Sequence, residues 1–496
     1  MQNSKHVYSR QVYSIRGLPV KIDSIILNEN CYWSFVVDNI SISLPRMKLK
    51  LFSADHKYIL RLALPAIAGL SSQMVVSLVD AAMVGRLNNA EYYLAAMGIG
   101  VIATWAVVSL FSSLATGTHV LIARRFGANE YDECGRVLNT SLIISFLIGI
   151  VISAIVVFFA YDIAGFFAVD PKVGFYAGQF LHYRFMGLPF FLITVSYRGF
   201  FFGIGKTKIF MYSAVLINFL NIVFNYILIY GGFGIKGMGL AGSGLGSTIA
   251  TFCDAIFYLT VSMTPAFRHK FHYFKNFRFV KSIAASIIKI SLPVSLQNIF
   301  ILVGFLSFIA ITGHIGTDSQ AASTIVFSSL QFSLMPCFGF GIAVQTLVGN
   351  SLGSKNIKQA KHYGFETSKL ATIYTIFIGL IFIFAPRLIL ILLTNDQRII
   401  EVAVPALRIA GFGQIFYAIG VVLANGLQAM GQTLFVMISE VVLNWFVFVP
   451  IAYFFSVYLK FGLIGAWFAL PFYVVLYALV IFIKFRFGDW EKYKHV

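Results

Sequence analysis

Apolar residues run along this chain in long unbroken blocks rather than alternating with polar ones. The stretches 94–123, 137–161, 209–235, 319–354 and 461–483 hold no Asp, Glu, Lys or Arg. Each is long enough to cross a hydrocarbon core of ~30 Å as a helix, which needs about 20 residues. The continuity of these blocks excludes a membrane barrel, whose strands alternate apolar and polar positions. The pattern predicts twelve helices, centred near residues 72, 108, 148, 188, 220, 250, 298, 333, 375, 414, 446 and 472.

The second six predicted helices repeat the first six, about 226 to 228 residues later. Arg61-Leu62-Ala63-Leu64-Pro65 returns as Lys289-Ile290-Ser291-Leu292-Pro293. Gly85-Arg86-Leu87 returns as Gly313-His314-Ile315, Gly205-Lys206-Thr207 as Gly431-Gln432-Thr433, and Asn218 as Asn444. An even number of spans per copy makes the repeat parallel, with its pseudo-axis along the membrane normal. In transporters such an arrangement places the substrate between two lobes. The expected fold is therefore all-α and integral to the membrane, with twelve transmembrane helices in two six-helix lobes. The expected division is an N-lobe over 47–265, an inter-lobe loop over 266–281, a C-lobe over 282–485 and a tail over 486–496. Residues 1–46 belong to neither repeat and lack the apolar core of a signal peptide. They are expected to be a disordered tail, or translation upstream of a true start at Met47.

Composition agrees: the chain is 59% hydrophobic and 11% charged, with 41 glycines, as closely packed transmembrane helices require. A net charge of +18 raises nucleic acid as a partner, and its distribution dismisses it. With the N-terminus inside, the inner connections carry Lys48, Lys50, Arg124, Arg125, Lys206, Arg268, Lys270, Lys281, Lys355 and Lys484, whereas the outer ones hold little beyond Arg86, Lys172, Lys236, Arg398 and Lys460. This asymmetry places both termini in the cytoplasm, with the protein in a bacterial cytoplasmic (inner) membrane. Four scattered cysteines and nine unclustered histidines support neither a disulfide framework nor a metal site. No Walker A loop is present, so ATP is not the expected energy source. No cofactor, and no catalytic group of an enzyme, is expected.

Ionisable residues inside the membrane are functional candidates. The first helix has one, Asp80, and Ser77, Gln73, Gly69 and Pro65 lie on the same stripe. A lone carboxylate there is costly when ionised and can exchange a proton; its bland alternative is packing glue between helices. The fifth helix carries Asn218, Asn221 and Asn225 on one face, and buried amides need partners. Rise per residue puts Asp80, Asn225 and Ser243 at one level in the outer half of the N-lobe. Asp254 lies deeper and is a second site or a structural acid. In the C-lobe, Asp80 is replaced by Phe308, Ser77 by Phe305, Asn221 by Val447 and Asn225 by Ile451. One lobe could then handle a cation while the aromatic surface of the other accepts organic molecules. Glu440, near the cytoplasmic end, is read chiefly as a snorkelling surface acid and secondarily as a candidate site; Gln297 is a further candidate. Arg184, after Tyr183, recurs as Arg408 and so is read as structural, and Arg198 is expected to snorkel.

These residues resemble the multidrug and toxic compound extrusion (MATE) family over 47–485. The resemblance rests on Leu64-Pro65, on Val79-Asp80-Ala81-Ala82-Met83-Val84-Gly85-Arg86-Leu87 and on Ala123-Arg124-Arg125-Phe126-Gly127-Ala128. It also rests on Arg198-Gly199, Gly203-Ile204-Gly205-Lys206-Thr207, Asn221-Ile222-Val223-Phe224-Asn225-Tyr226 and Gln345-Thr346-Leu347-Val348-Gly349. It is closest to the DinF-like branch. It implies an antiporter exporting organic, often cationic, compounds against protons or sodium. Asp80 matches the cation-coupling acid, Pro65 the proline where the first helix bends, and Gln73, Asn221 and Ser243 the cavity lining. Ser77, Asn218, Asn225 and Tyr183 join that lining as candidates. Asn225 stands where many members of this branch carry an acid, and the seventh-helix acid of the NorM-like branch is missing from Asn298-Ile299-Phe300-Ile301. A single-acid proton site is therefore expected, in a monomer whose partners are small organic substrates, the coupling proton and membrane lipid. The alternatives are a sodium-coupled exporter of the same family and a lipid-linked oligosaccharide flippase of the wider superfamily.

Overall fold

The computed structural model describes residues 53–274 and 277–491, together with the backbone of five short strands within 12–45. Strands β1 (Val12–Ile15) and β2 (Leu18–Lys21) pair antiparallel, and β3 (Ser24–Asn28), β4 (Tyr32–Val37) and β5 (Ile40–Pro45) form a meander in which Ser24 faces Val36 and Tyr32 faces Pro45. The rest of 1–52 lies outside the described residues, and with it the choice between a tail and upstream translation.

From Ala54 onward the chain is helical. The first lobe comprises α1 (Ala54–Val84), α2 (Ala90–Ser112), α3 (Leu114–Gly127), α4 (Tyr131–Phe158), α5 (Ala160–Phe167), α6 (Pro171–Phe185), α7 (Leu188–Gly203), α8 (Thr207–Tyr230) and α9 (Leu240–Met263), then the short α10 (Pro265–Phe271). A two-residue-stranded hairpin, β6 (Gly231–Gly232) with β7 (Ile235–Lys236), joins α8 to α9. The second lobe comprises α11 (Lys281–Ile315), α12 (Thr317–Gly353), α13 (Ile357–Phe384), α14 (Pro386–Ile391), α15 (Gln397–Ala429), α16 (Thr433–Leu443), α17 (Val449–Tyr453) and α18 (Gly462–Phe487). Among the described residues, eleven helical runs are long and apolar enough to cross a membrane, and α6 with α7, bent by 49°, makes a twelfth span. Pro189 enforces that bend, because it offers no N–H to continue α6. The fifth span of the second lobe is interrupted by π-helical turns at Asn444–Phe448 and Phe454–Tyr458 around α17. Pro450 lies between them and removes the bond that Phe446 would accept.

The repeat is visible in the backbone. Gly205 and Gly431 turn into α8 and α16 with φ of 70° and 75°, a region that costs a side chain dearly. The first helix of each copy is shared between lobes. Ile59, Leu62 and Ala63 of α1 pack in the second-lobe cluster with Val344, Leu423 and Ile481, whereas Val84 at its far end packs in the first lobe. Reciprocally, Ile283, Ala284 and Ile287 of α11 lie in the first-lobe core, and Phe308 and Ile311 in the second. Both helices run through their prolines, Pro65 and Pro293, without a break, and each changes lobe beyond its proline, since Ile67 still packs in the second-lobe cluster and Asn298 still bonds to Ser109 of the first lobe.

The end of the bundle where α1 begins and α3 and α12 finish is here called the basic end. There the two lobes meet on the pseudo-twofold axis. A Cβ on Gly127 would lie 2.0 Å from the Asn350 carbonyl oxygen, and one on the equivalent Gly353 would lie 1.9 Å from the Arg124 oxygen. Gly349 faces its own equivalent, Ala123, at 2.6 Å. Lipid gives helices no hydrophobic incentive to associate, so such backbone contact, with polar bonds, holds the seam. His119 Nε2 shares a hydrogen bond with Thr346 Oγ1 at 2.8 Å, Thr346 Oγ1 donates to the Phe202 oxygen at 2.9 Å, and Arg124 Nε donates to the Ala429 oxygen at 2.9 Å.

The inter-lobe loop begins as an anchor rather than a free linker. Phe271 and Tyr273 are buried against Phe200, and a Cβ on Gly135 would lie 2.1 Å from the Phe271 oxygen. Tyr273 donates to the Ser262 oxygen, and burial pushes its hydroxyl pKa up, so it stays a neutral donor. Lys270 lies 4.2 Å from the Tyr131 ring centre.

Candidate functional site

The Asn face of α8 supplies the bonds that tie the first lobe together. Asn225 Nδ2 donates to Asp80 Oδ1 at 2.8 Å and to Asn221 Oδ1 at 3.1 Å, and Asn221 Nδ2 donates to Ser247 Oγ at 2.9 Å. One continuous relay therefore runs from α1 through α8 to α9. One and two turns before, Asn218 Nδ2 donates to Ser72 Oγ at 2.8 Å, which donates to the Gly69 oxygen. Asn225 is fully buried and its Oδ1 has no hydrogen-bond partner. Gly246 makes room for that oxygen: a Cβ there would lie 2.2 Å from it.

The structure places Asp80 and Asn225, expected at one level, in a hydrogen bond, with Asn221 on the same amide face as the next link. Ser243 is buried at the expected level, yet the bond from α9 is made by Ser247, four residues further along the same face. The reason is local: Gly246 admits Asn225, which presents the next turn of α9 to Asn221. The i+4 spacing from Ser243 was the available signal. Gln73 and Ser77 lie on the exposed side of α1, where Ser77 Oγ bonds back to the Gln73 oxygen at 3.1 Å. Tyr183 is half-buried, its carbonyl accepting from Thr248 Oγ1 at 2.7 Å. Gln297 is 9% exposed and its Oε1 has no partner; its neighbour Asn298 donates to the Ser109 oxygen at 3.0 Å.

Arg184 has a different environment from Arg408. It is half-buried, lines a small recess with Thr104, Val108 and Thr251, and its charge acts on Asp80, whereas Arg408 is exposed. The recurrence in both halves concealed this, because equal spacing carries no information about which helix faces each arginine.

Two further expectations need correction. Arg198 does not snorkel: its side chain is 15% exposed and turns inward, Nη2 lying 3.8 Å from Asp254 Oδ2 and the guanidinium 5.2 Å from the Phe210 ring centre. Ser213 Oγ donates to the other Asp254 oxygen at 2.6 Å. Glu440 is not a surface acid: it is 6% exposed and accepts from the Tyr473 hydroxyl. Thr433, which opens α16, and Gln432 before it are themselves buried, and Tyr473 lies over the carboxylate instead of water. The aromatic positions of the second lobe are core rather than surface at Asp80's level. Phe308 is fully buried, stacked on Phe448 at 5.1 Å and edge-on to Trp467. Among the described residues no group of His, Cys, Asp and Glu could hold a metal ion.

Two six-span lobes, a helix of each shared with the other, and a polar relay around one membrane carboxylate define a multi-pass membrane transporter of the two-lobe type. The comparisons agree. Residues 65–227 and 293–454 match the MatE family, so both repeats are covered and the chain belongs to that family. It is 26% identical over 440 residues to the probable multidrug resistance protein NorM of Thermotoga maritima, covering 88% of this chain and 93% of that one. It is 25% identical over 396 residues to the probable multidrug resistance protein YoeA of Bacillus subtilis, covering 78% and 84%. Its fold is similar to a crystal structure of MATE in complex with MaD3S, with a TM-score of 0.82 at 22% identity over 90% of this chain and 98% of that one. It is also similar to an outward-facing conformation of a multidrug resistance MATE family transporter, with a TM-score of 0.79 at 22% identity over the same shares.

Proposed function

We propose that this protein exports organic compounds, cationic or amphipathic, in exchange for protons, with Asp80 as the coupling group. The observation that carries this reading is the relay Asp80–Asn225–Asn221–Ser247, which contains one titratable group. The names of the relatives support drug efflux as the task, and the acid on the first helix supports the DinF-like type. By charge asymmetry the basic end faces the cytoplasm of a bacterial inner membrane. The sealed seam then makes the structure an outward-facing state.

Export needs the proton-loaded and unloaded states to prefer different conformations. While Asp80 is ionised it accepts from Asn225 Nδ2, in the field of Arg184. A protonated Asp80 donates instead, and the unpartnered Asn225 Oδ1 is the acceptor it needs. To present that oxygen the amide turns over, which breaks the Nδ2 bond to Asn221 within α8 and frees Asn221, the residue that holds Ser247 of α9. The outer half of α1 follows the first lobe while its inner half stays in the second, so the adjustment falls just beyond Pro65, between Ile67 and Gly69, and reaches the seam. Transport by proteoliposomes under an imposed proton gradient, and separately under a sodium gradient at constant pH, tests this. The expected result is export driven by protons alone and lost in Asp80→Asn. Sodium-driven export with protons equilibrated, or wild-type rates in Asp80→Asn, overturns it.

A further inference from the structure

A second carboxylate lies buried in the other lobe with surroundings unlike those of Asp254. Glu440 sits seven residues into α16, about 10 Å from the basic end at 1.5 Å per residue. It accepts from the Tyr473 hydroxyl, and the Tyr477 and Tyr417 hydroxyls lie close enough to act on its charge. Tyr473 and Tyr477 are stacked, 6.2 Å apart and inclined by 16°. These tyrosines, from α15 and α18, are the titratable groups that face it. Among the described residues no Lys, Arg or His pairs with it, whereas Asp254 has Arg198.

The repeat makes that contrast informative. Gly239 and Gly462 both turn into the sixth span with φ near +60° (58° and 59°), and Gly242 and Gly465 both abut a carbonyl of the span before. This register places Tyr477 where the first lobe has Asp254, and the separate register of the fifth span, set by Gly205 and Gly431, places Glu440 one residue beyond the equivalent of Ser213. Each lobe thus keeps one carboxylate between its fifth and sixth spans, on opposite helices of the pair. At the position of Arg198 the second lobe has Ala424. With no counter-ion, an ionised Glu440 would be an uncompensated buried charge, so it is the acid of the two that a proton neutralises. Tyrosine hydroxyls both donate and accept, so they serve an ionised and a protonated acid equally, and an arginine serves only the first.

A second observation points to a ligand. One turn beyond Glu440, Asn444 opens a π-helical turn, is 5% exposed, and its Oδ1 has no hydrogen-bond partner. The space it occupies exists because Gly304 has no side chain: a Cβ there would lie 1.9 Å from that oxygen. Such π turns recur at functional sites. An unpartnered acceptor beside an uncompensated acid is short of one proton on a nearby group.

We propose that Glu440, within the cage of Tyr417, Tyr473, Tyr477 and Asn444, is a second proton-exchanging site, carried by the second lobe and loaded from the basic end. The bond formed is O–H on the Glu440 carboxyl and the bond broken is O–H of a hydronium ion, which is left as water, when the seam is open. This site stands beside the reading of Asp80 and does not depend on it.

The test uses full-length protein in lipid nanodiscs, with Asp80→Asn as the background so that the first site is silent. Infrared difference spectra across a pH step should keep, in Asp80→Asn, a protonating carboxyl band that belongs to Glu440. That band should be lost in Asp80→Asn/Glu440→Gln and restored in Asp80→Asn/Glu440→Asp. In otherwise wild-type protein, Glu440→Gln should shift the pH profile of transport. If Glu440→Gln yields no folded protein, Tyr473→Phe keeps the acid and removes its donor, and should move the band. A band unchanged in either variant, or one that responds to sodium at fixed pH, overturns the proposal. Loss of transport in Asp80→Asn with the Glu440 band intact bears on the first site alone.

Discussion

Gly353→Ala should open the seam at the basic end without unfolding the protein. The added methyl group would lie 1.9 Å from the Arg124 oxygen, 2.8 Å from its carbonyl carbon and 2.9 Å from the Ala128 nitrogen. All three are backbone atoms of the opposite lobe, so no side chain can swing aside. Overpacking of this kind costs about 1–3 kcal/mol. Here the cost falls only on the closed state, because opening separates the two surfaces. The better helix propensity of Ala is common to both states and drops out of their balance. A coupling of that size shifts the closed-to-open ratio by roughly 5- to 150-fold. The pseudo-twofold partner Gly127, 2.0 Å from the Asn350 oxygen, should behave alike. The assay is the distance distribution between spin labels on Asn129→Cys and Lys355→Cys, exposed positions on opposite lobes. A longer distance should grow in Gly353→Ala and in Gly127→Ala, with melting temperature held. An unchanged distribution in both variants would refute the seam as the contact that separates the states.

Asn225→Asp should place a second titratable group 2.8 Å from Asp80; like charges so near cannot both ionise freely, so the pH profile of transport should change shape, read in proteoliposomes at a series of pH values. Gly246→Ala should weaken the relay by driving a methyl group into Asn225 Oδ1 and reduce proton-driven export while insertion stays normal. Arg198→Met should destabilise by about 3–5 kcal/mol, because it strands the Asp254 carboxylate, and Asp254→Asn in the same chain should recover most of the lost melting temperature. A melting temperature unmoved by Arg198→Met would show that the 3.8 Å pair contributes little.

Local chemistry in the chain determined a good deal. Unbroken apolar runs dictate helices that bond internally, since lipid offers backbone groups no partner. The repeat of Pro65 at Pro293 and of Gly205 at Gly431 dictates two lobes of one design. The i, i+3, i+7 spacing of Asn218, Asn221 and Asn225 dictates a single amide face, and the scarcity of acids singled out Asp80. None of these depends on which helix lies beside which. What only the tertiary structure decided is partnership and depth. Ser247, not Ser243, receives Asn221 because Gly246 lets α8 and α9 touch. Arg184 is half-buried, with its charge felt at Asp80, whereas its equivalent Arg408 is exposed. Arg198 and Glu440 both lie near enough to a helix end to reach water along their own helix, and neighbouring helices close that route, with Asp254 and aromatic rings around one and Tyr473 over the other. The sharing of α1 and α11 between lobes likewise has no local cause. A helix's own sequence states which face is apolar, and the neighbouring helices determine which lobe that face enters.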